Sequence, residues 1–345
     1  MIRRPPRSTQ SRSSAASDVY KRQNIFISNS KFIANAISGI IINSDTGSTN
    51  ITICNNEIKD TISKELFPGI YFSCGIIVIM TNEIEIFNNK IFNVTTSIYL
   101  GFANTFKVKE NEISECEYGI ALQYCSDGII EENSILNVNY GIYVGKDFIE
   151  GYPKACNNIY IYKNTIKKNS VSGIIFGEVE NSTIKSNDII ECYIGTWLEI
   201  ESSSNSVYYN KFIDNEIGAR DDGTNNKWDD GVSKGNYWSD YKGYDNNRDG
   251  IGDTPYDISG SAGSRDKYPI WDKYATRDHE EKTPNFDAFN NALFLLIIIS
   301  SLSMIGIIIM KTRNIKKNIQ TTSIKRELKP RSKKQPGKQQ LSRRK

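Results

Sequence analysis

Two stretches of the chain, NEISECEYGIALQ at residues 111–123 and NSILNVNYGIYVG at residues 133–145, decide its fold. Each begins with an asparagine, has an isoleucine two positions later, and reaches a glycine followed by apolar residues eight positions after the asparagine. The two asparagines are 22 residues apart. A motif that returns at a fixed short period indicates a solenoid, in which each repeat packs only against its two neighbours.

The same asparagine position recurs through residues 24–220, with a base interval of 22 or 23 residues and three longer intervals of 26, 31 and 33 residues. Asparagine and glycine tolerate left-handed backbone angles, so they suit sharp corners between short strands. Three short strands per repeat predict an all-β protein, a right-handed parallel β-helix of about eight rungs. The ladder position is occupied by Ser30, Asn56, Asn89, Asn111, Asn133, Asn164, Asn187 and Asn210.

The side chains of the repeat have separate expected roles. The asparagines are expected to stack as a hydrogen-bonded ladder, because a corner that water cannot fully reach needs its polar groups satisfied. The isoleucines two positions later are expected to point inward and stack between rungs. In the second repeat, which holds an insertion with Pro68, we expect the third strand at residues 69–72.

The two ends of the chain differ from the repeats. Residues 1–23 are basic, lack the apolar run of a signal peptide and resemble translated sequencing-adapter sequence, so we exclude them from the fold and expect the natural N-terminus upstream. Residues 276–291 are expected to be a linker. Residues 292–310 are 19 uncharged, mostly apolar residues, which as a helix would extend about 28 Å, enough to cross a membrane.

Charge orients the predicted transmembrane helix. Residues 311–345 hold 14 Lys and Arg and one acid, and the positive-inside rule therefore places this tail, which we expect to be disordered, in the cytoplasm. The β-helix would then lie outside the cell membrane. Residues 24–310 hold 23 basic and 38 acidic residues, and this negative charge argues against nucleic acid as a partner.

The six cysteines are expected to be reduced thiols in the core. None forms a CxxC pair, so a zinc site is not expected. From their positions in the repeat, no two cysteines are expected to be direct neighbours in the stack, so disulfides between rungs are not expected either. The cysteines are Cys54, Cys74, Cys116, Cys125, Cys156 and Cys192.

Residues 221–275 are rich in glycine and aromatic residues and include GNYWSDY at 235–241 and DGIGDTPY at 249–256. With these motifs the chain resembles, over residues 24–275, the NosD-like β-helix family of periplasmic and archaeal surface proteins. The resemblance implies that this segment closes the helix. A solenoid end needs such a cap, because its last coil exposes apolar side chains and strand edges. The expected cap aromatics, for which a sugar-stacking role is the alternative, are Tyr237, Trp238, Tyr241, Tyr256 and Tyr268.

A candidate calcium loop lies inside the cap segment. Oxygen ligands at alternate positions, with Gly250 at the sharp turn, match positions 1, 3, 5, 6, 7 and 9 of a calcium loop. Position 12 is Tyr256 where an EF-hand has glutamate, so an ordinary turn held by Asx hydrogen bonds is the alternative. The predicted calcium ligands are Asp245, Asn247, Asp249, Ile251 and Asp253.

Three functions remain open from the sequence. The favoured one is a non-catalytic surface module of a cell envelope that binds glycans or neighbouring envelope proteins. The Ile, Asn and Lys bias, together with the family resemblance, suggests an archaeal envelope. Exposed tyrosines would stack on sugars, and the sequons at Asn50, Asn93 and Asn181 suit an external surface. The tyrosines considered are Tyr71, Tyr99, Tyr143 and Tyr160.

The alternative is a carbohydrate-active enzyme, a polysaccharide lyase or hydrolase, with its acids among Glu178, Glu180, Glu199 and Glu201. Whether the chain is an enzyme is left open. The third function comes from the family resemblance, which implies a role in maturing the copper site of nitrous-oxide reductase. It is disfavoured, because copper needs His, Met or Cys ligands and the chain has one histidine, His279, and four methionines.

Overall fold

The computed structural model describes residues 24–33, 35, 38–48, 50–61, 64–67, 70–145 and 156–271. In this part of the chain all regular structure is β-strand, and the backbone coils through eight rungs whose strands pair in parallel with those of the rungs before and after. The predicted parallel β-helix is thereby confirmed. The assignments made for residues 1–23 and 276–345 fall outside the described residues.

Each rung runs through three faces, in the order first, second and third face along the chain. In the seventh rung the first-face strand is divided into two, and Tyr237–Trp238 of the cap adds a ninth strand to the second face. The long strand Cys74–Phe87 turns a corner and serves two faces, the third in rung two and the first in rung three. The first face comprises Ile25–Ser28, Ile51–Cys54, Cys74–Phe87, Asn104–Lys109, Ser126–Glu131, Cys156–Tyr162, Val179–Glu180, Thr183–Lys185 and Ser206–Tyr208. The second face comprises Lys31–Ile33, Glu57–Lys59, Lys90–Phe92, Glu112–Ser114, Ser134–Leu136, Thr165–Lys167, Asp188–Ile190, Lys211–Ile213 and Tyr237–Trp238. The third face comprises Ser38–Ser48, Cys74–Phe87, Thr96–Gly101, Tyr118–Gln123, Tyr140–Gly145, Ser172–Gly177, Ile194–Leu198 and Ile217–Asp221.

The core is a set of columns of like residues, one from each rung. On the second face the isoleucine two positions after each ladder asparagine points inward and is at most 2% exposed. Branched side chains suit this arrangement, because they pack well on a pleated surface and stack on identical neighbours. Toward the C-terminal end aromatic rings replace the isoleucines. The column consists of Ile58, Ile91, Ile113, Ile135, Ile166, Ile189, Phe212 and Trp238.

The predicted asparagine ladder is present, and it has a direction. Asn89 donates both its backbone N–H and its side-chain amide to Oδ1 of Asn111, at 3.0 and 2.9 Å. The second hydrogen of the Asn89 amide goes to the carbonyl of Ile53 on the preceding rung, at 3.0 Å. These groups are buried, and every donor and acceptor is satisfied, which is the condition under which a buried polar network stabilises a fold. The donation runs from Asn56 through Asn89, Asn111, Asn133, Asn164, Asn187 and Asn210 to Asn236.

The ladder ends on a carboxylate. Asn236 has no further rung to donate to, and its backbone N–H binds Oδ2 of Asp266 at 2.6 Å. The indole N–H of Trp238 binds the same oxygen at 2.9 Å, and the N–H of Tyr268 binds Oδ1 at 3.0 Å. An ionised aspartate accepts hydrogen bonds without donating any, so it matches the unmet donors at the last rung. Burial raises the pKa of Asp266 to about 6 against these hydrogen bonds, so the carboxyl is mostly ionised at neutral pH.

Aromatic rings cover the last apolar layer. Trp238 stacks on Phe212 with ring centroids 4.3 Å apart, and Tyr256 stacks on the other side of Trp238 at 4.2 Å. Trp228, which sequence analysis did not single out, is also buried beside Trp238. Offset stacks of this kind bury large apolar areas at a solenoid end. The antiparallel pair Tyr256–Asp257 and Arg265–Asp266 lies in the same segment.

One strand of the second repeat was predicted wrongly. The third-face strand of that rung begins at Cys74, where Gly75 occupies the corner position, and Ile70–Phe72 instead pairs antiparallel with Lys64–Phe67. Two stretches after the insertion fit the repeat, Gly-Ile-Tyr-Phe at 69–72 and Gly-Ile-Ile-Val at 75–78, and the first of them is nearer to the usual distance from Asn56.

No helix among the residues that the structure describes has the length and hydropathy needed to cross a membrane. The predicted span at 292–310 lies outside those residues.

The end of the ladder gives a direct test. We expect Asp266→Asn to destabilise the folded chain by about 2–3 kcal/mol, because an amide would turn a donor toward donors at a buried site. Full-length protein in detergent should therefore melt several degrees lower, and amides of residues 205–240 should exchange with deuterium faster. Asp257→Asn, an exposed position on the neighbouring strand, is the matched control and should leave both measurements unchanged. Equal melting of the two variants would contradict the role of Asp266.

Candidate functional site

The outward side of the third face is buried from Ile77 to Ile175, although a solenoid face usually meets solvent. Tyr99 is 5% exposed and Tyr143 is 7% exposed, so two of the four tyrosines considered for sugar stacking do not reach solvent. Tyr160, on the first face, is 43% exposed, and the side chain of Tyr71 lies outside the described part. The third face therefore carries the most enclosed outward side chains of the described β-helix.

Glycines explain how these tyrosines fit. In the column two residues beyond the tyrosines, Gly101 and Gly145 replace side chains. A Cβ atom at Gly145 would lie 2.6 Å from the hydroxyl of Tyr143, and one at Gly101 would lie 3.1 Å from the ring of Tyr99. The two rings therefore lie along the sheet over glycines, with Gln123 between those glycines in the same column. At Gly177, in the same column, a Cβ atom would lie 2.7 Å from Oε2 of Glu199.

The tyrosines also contact one another. Tyr118 and Tyr140 stack with ring centroids 4.7 Å apart, and Tyr143 meets Tyr118 edge-on at 6.3 Å. The hydroxyl of Tyr99 donates to Oε1 of Gln123 at 2.6 Å. Stacked aromatic rings and a buried hydrogen bond hold these side chains in fixed positions.

Two glutamates on this face have carboxyl groups that titrate near neutral pH. Burial raises the pKa of Glu117 to about 7. Burial, together with the negative charges of Asp222 and Glu178, raises the pKa of Glu199 to about 7. Burial and the charges of both glutamates raise the pKa of Tyr140, so its hydroxyl stays protonated. Perturbed acids of this kind concentrate at functional sites.

At the C-terminal end of the face a tryptophan, an arginine and an aspartate form a unit. The indole N–H of Trp197 donates to Oδ2 of Asp222 at 3.0 Å, and Nε of Arg220 donates to the same oxygen at 2.6 Å. The Arg220 guanidinium lies over the Trp197 ring at 5.3 Å. Burial favours the neutral form of Asp222, but the hydrogen bonds from Arg220, Ser261 and Trp197 outweigh it and lower the pKa to about 2.

We call this assembly the third-face cluster. It places an acid that is half protonated at neutral pH, Glu199, beside one that is fully ionised, Asp222. A pair of carboxyls with separated pKa values can divide the roles of proton donor and anion. The cluster consists of Tyr99, Glu117, Tyr118, Gln123, Tyr140, Tyr143, Glu178, Trp197, Glu199, Arg220 and Asp222.

Sequence analysis found only part of this cluster. Glu178 and Glu199, two of its four candidate acids, belong to the cluster, whereas Glu180 and Glu201 are exposed. Glu117, Trp197 and Arg220 were among those missed. For Trp197 and Arg220 the signal was available in the repeat register, because they occupy the outward position of Tyr143 in later rungs.

The predicted calcium loop forms a tight turn. Asp245 accepts the backbone N–H groups of Asp249 and Gly250 at 3.1 and 2.9 Å, and Gly250 has a φ of +85°. Asp253 accepts from the backbone and side chain of Asn246 at 2.8 and 2.6 Å, and Ile251 bridges to Ile270 in the cap. Asn247 donates to Asp249 at 2.9 Å. These contacts are those of an Asx turn, and calcium at this loop stays a prediction.

A metal centre is not evident in the part of the chain that the structure covers, where no three His, Cys, Asp or Glu side chains are grouped to hold an ion. The described cysteines are all buried and free. Burial raises the pKa of Cys192 to about 12, so its thiol is not a ready metal ligand. These residues do not fit a copper ion, which takes deprotonated sulfur or imidazole donors.

The raised pKa of Glu199 predicts a pH-dependent stability. Glu199 binds its proton more tightly in the folded chain, so its contribution to stability is full below about pH 4.5 and is lost as the pH rises through about 7. We expect the melting temperature of full-length protein to fall more between about pH 5 and about pH 8 than that of Glu199→Gln. Glu178→Gln should move the fall in melting temperature to lower pH, because it removes a negative charge that raises the pKa of Glu199. Glu201→Gln, an exposed control, should keep the wild-type profile; a wild-type profile in Glu199→Gln would contradict the assignment.

The sequence matches the family described as periplasmic copper-binding protein (NosD) at residues 8–149 and 75–243. A curated relative, the probable ABC transporter binding protein NosD of Stutzerimonas stutzeri, is 33% identical over 76 residues, which are 22% of this chain and 17% of the relative. The match thus spans less than a fifth of that relative's length.

Among solved structures, the A-modules of two mannuronan C-5 epimerases of Azotobacter vinelandii align with the chain. AlgE6 aligns at 12% identity with a TM-score of 0.42, covering 68% of each chain. AlgE4 aligns at 9% identity with a TM-score of 0.38, covering 70% of this chain and 78% of the other. The family matches together extend over more than half of the sequence, and the chain therefore belongs to the NosD family.

Proposed function

We propose that this chain binds a polysaccharide outside the cytoplasm, at the C-terminal end of the third-face cluster. The observation that carries the proposal is the change in accessibility along the outward column. Ile175 is buried, Trp197 is half-buried and Arg220 is exposed, so the column opens where aromatic and charged groups lie together. A ligand can reach the cluster there.

The groups at this opening suit a sugar. Sugar rings have apolar faces that stack on aromatic side chains and hydroxyl rims that need planar hydrogen-bonding partners. Trp197 supplies the ring, and its hydrogen bond to Asp222 fixes the ring's orientation. Arg220, Asp222 and Glu199 supply guanidinium and carboxyl groups beside it. Because these positions are held before a ligand arrives, binding would lose little conformational entropy.

A second candidate function is catalysis on the bound polysaccharide. It is favoured by one observation, the separated pKa values of Glu199 and Asp222. Glu199 could donate or accept a proton near neutral pH, while Asp222 stays an anion held by Arg220. The copper function suggested by the family's description finds no support in the donor groups of the described residues.

A glycan array probed with full-length protein in detergent tests both candidates. We expect Trp197→Ala to weaken binding to any recognised glycan by about 2 kcal/mol, or about thirtyfold, because an aromatic ring that becomes covered by the ligand dominates such contacts. Tyr160→Ala, which removes an exposed tyrosine on the first face, is the matched control. Equal loss in both variants, or binding to no glycan, would overturn the proposal. Adding EGTA to parallel arrays tests the predicted calcium dependence.

The recognised glycans are then incubated with the protein and assayed for new reducing ends or unsaturated uronates. Turnover that falls in Glu199→Gln and persists in Glu201→Gln would favour the enzyme. Binding without turnover would favour the non-catalytic module.

We also propose that residues 292–310 anchor the β-helix to the membrane, with the basic tail in the cytoplasm. The support is the uncharged 19-residue stretch and the 14 basic residues after it. Ile298→Arg with Ile305→Arg should release the protein to the soluble fraction, since arginine near a helix centre costs about 2.5–3.5 kcal/mol per residue on insertion. Ile315→Arg with Ile319→Arg, in the tail, is the control and should stay with the membrane. Retention of both double variants after carbonate extraction would contradict the anchor.

A further inference from the structure

Cys125 and Cys156 occupy the same position on consecutive rungs. Each lies eight residues before a ladder asparagine, Asn133 or Asn164, and the residues that follow them, Ser126 and Asn157, are paired in register. The backbone N–H of Cys125 donates to Sγ of Cys156 at 3.2 Å. The expectation that no cysteine neighbours another was therefore wrong, because the 31-residue interval between these asparagines concealed the shared phase.

The geometry of the two residues suits a covalent bond. Neighbouring parallel strands lie about 4.8 Å apart, and disulfides join residues whose Cα atoms are about 4.4–6.8 Å apart. Cys125 is 1% exposed and Cys156 is fully buried, so the pair lies inside the coil. Both thiols point toward the preceding rung, since Sγ of Cys125 lies 3.4 Å from the carbonyl of Leu100 and Sγ of Cys156 lies 3.2 Å from the backbone nitrogen of Cys125. Rotation of one side chain would bring the sulfurs together.

We propose that Cys125 and Cys156 form a disulfide when the chain folds outside the cytoplasm. The family is described as periplasmic, and such compartments are oxidising. In the reaction both S–H bonds break and one S–S bond forms. The two electrons and two protons pass to a protein disulfide that serves as oxidant and is itself reduced to two thiols, through a mixed disulfide with one of the cysteines.

The bond forms before the two rungs close on each other. In the finished fold burial raises the pKa of both thiols, and the Cys156 sulfur raises that of Cys125 further, so both stay protonated and out of reach of an oxidant. The same burial then protects the bond from reductants. The remaining four cysteines lack this arrangement, because their in-register neighbours on adjacent rungs are other residue types; Cys74, for example, lies between Ser38 and Thr96.

The disulfide would fix the point at which the chain re-enters the β-helix after the insertion between rungs five and six. The chain leaves the third face at Gly145 and re-enters the described structure at Cys156, whose sulfur lies against the Gly145 carbonyl. A link from Cys156 to Cys125 would tie that return point to the preceding rung. Gly145 lies beneath the Tyr143 hydroxyl, so the disulfide would also hold the edge of the third-face cluster.

Alkylation and mass spectrometry of full-length protein test the proposal. The protein is exported to the periplasm, denatured without reductant in the presence of N-ethylmaleimide, and digested. We expect four alkylated cysteines and one linked peptide pair containing Cys125 and Cys156. Six alkylated cysteines, or a bond between any other pair, would overturn the proposal.

Two variants sharpen the result. Cys156→Ser should leave five alkylated cysteines and melt several degrees lower than the oxidised wild type, with no further change on adding reductant. Cys192→Ser, another buried cysteine, should keep the linked peptide pair. If Cys156→Ser fails to fold, the labelling pattern of wild-type protein decides alone. Each readout is independent of glycan binding, so failure of the proposed function would not affect it.

Discussion

The hydrogen-bonded asparagine ladder is the interaction on which the rest of this structure depends. Each asparagine donates its backbone N–H and its side-chain amide to the next rung, and the same amide also donates to a main-chain carbonyl of the preceding rung. A one-residue slip in any strand would break these contacts on both sides and turn the core isoleucines outward. The ladder therefore fixes the register of every rung, and the columns of core and surface residues follow from that register.

Because each asparagine donates to the next rung, the last residue of a ladder needs an acceptor beyond it. A carboxylate supplies that acceptor twice in this chain, since a shorter ladder from Ser182 through Asn205 to Asn226 ends on Asp221. Asp221 also accepts the indole N–H of Trp228 at 2.8 Å, as Asp266 accepts that of Trp238. An acceptor-only carboxylate and a tryptophan thus close each ladder. The cap segment is specific in sequence because it must supply both an acceptor for surplus N–H groups and rings for the last apolar layer.

Function on this scaffold depends on the side chains that the strand register directs outward. On the second face the outward positions carry charges in ion pairs, such as Lys31 with Glu57 and Lys90 with Glu112, and exposed pairs of this kind contribute little to stability. The third face differs, because its outward positions hold tyrosines over glycines and acids with shifted pKa values. Membership of the NosD family does not by itself assign a chemistry to this face, since function resides in sites and not in folds.

The asparagine and isoleucine positions could be predicted from the sequence, because each recurs within a rung at a fixed distance and both report local constraints of corner and core. Ladder, core column and parallel β-helix follow from that recurrence alone. The third-face cluster could be predicted only in part. Glu117 and Glu199 resemble any surface acid in sequence, and their raised pKa values arise from burial that distant rungs create. Arg220 and Asp222 meet Trp197 because they lie one rung later, and Cys125 meets Cys156 across an insertion of unrepeated length. Packing between rungs, which no single repeat encodes, decided these contacts.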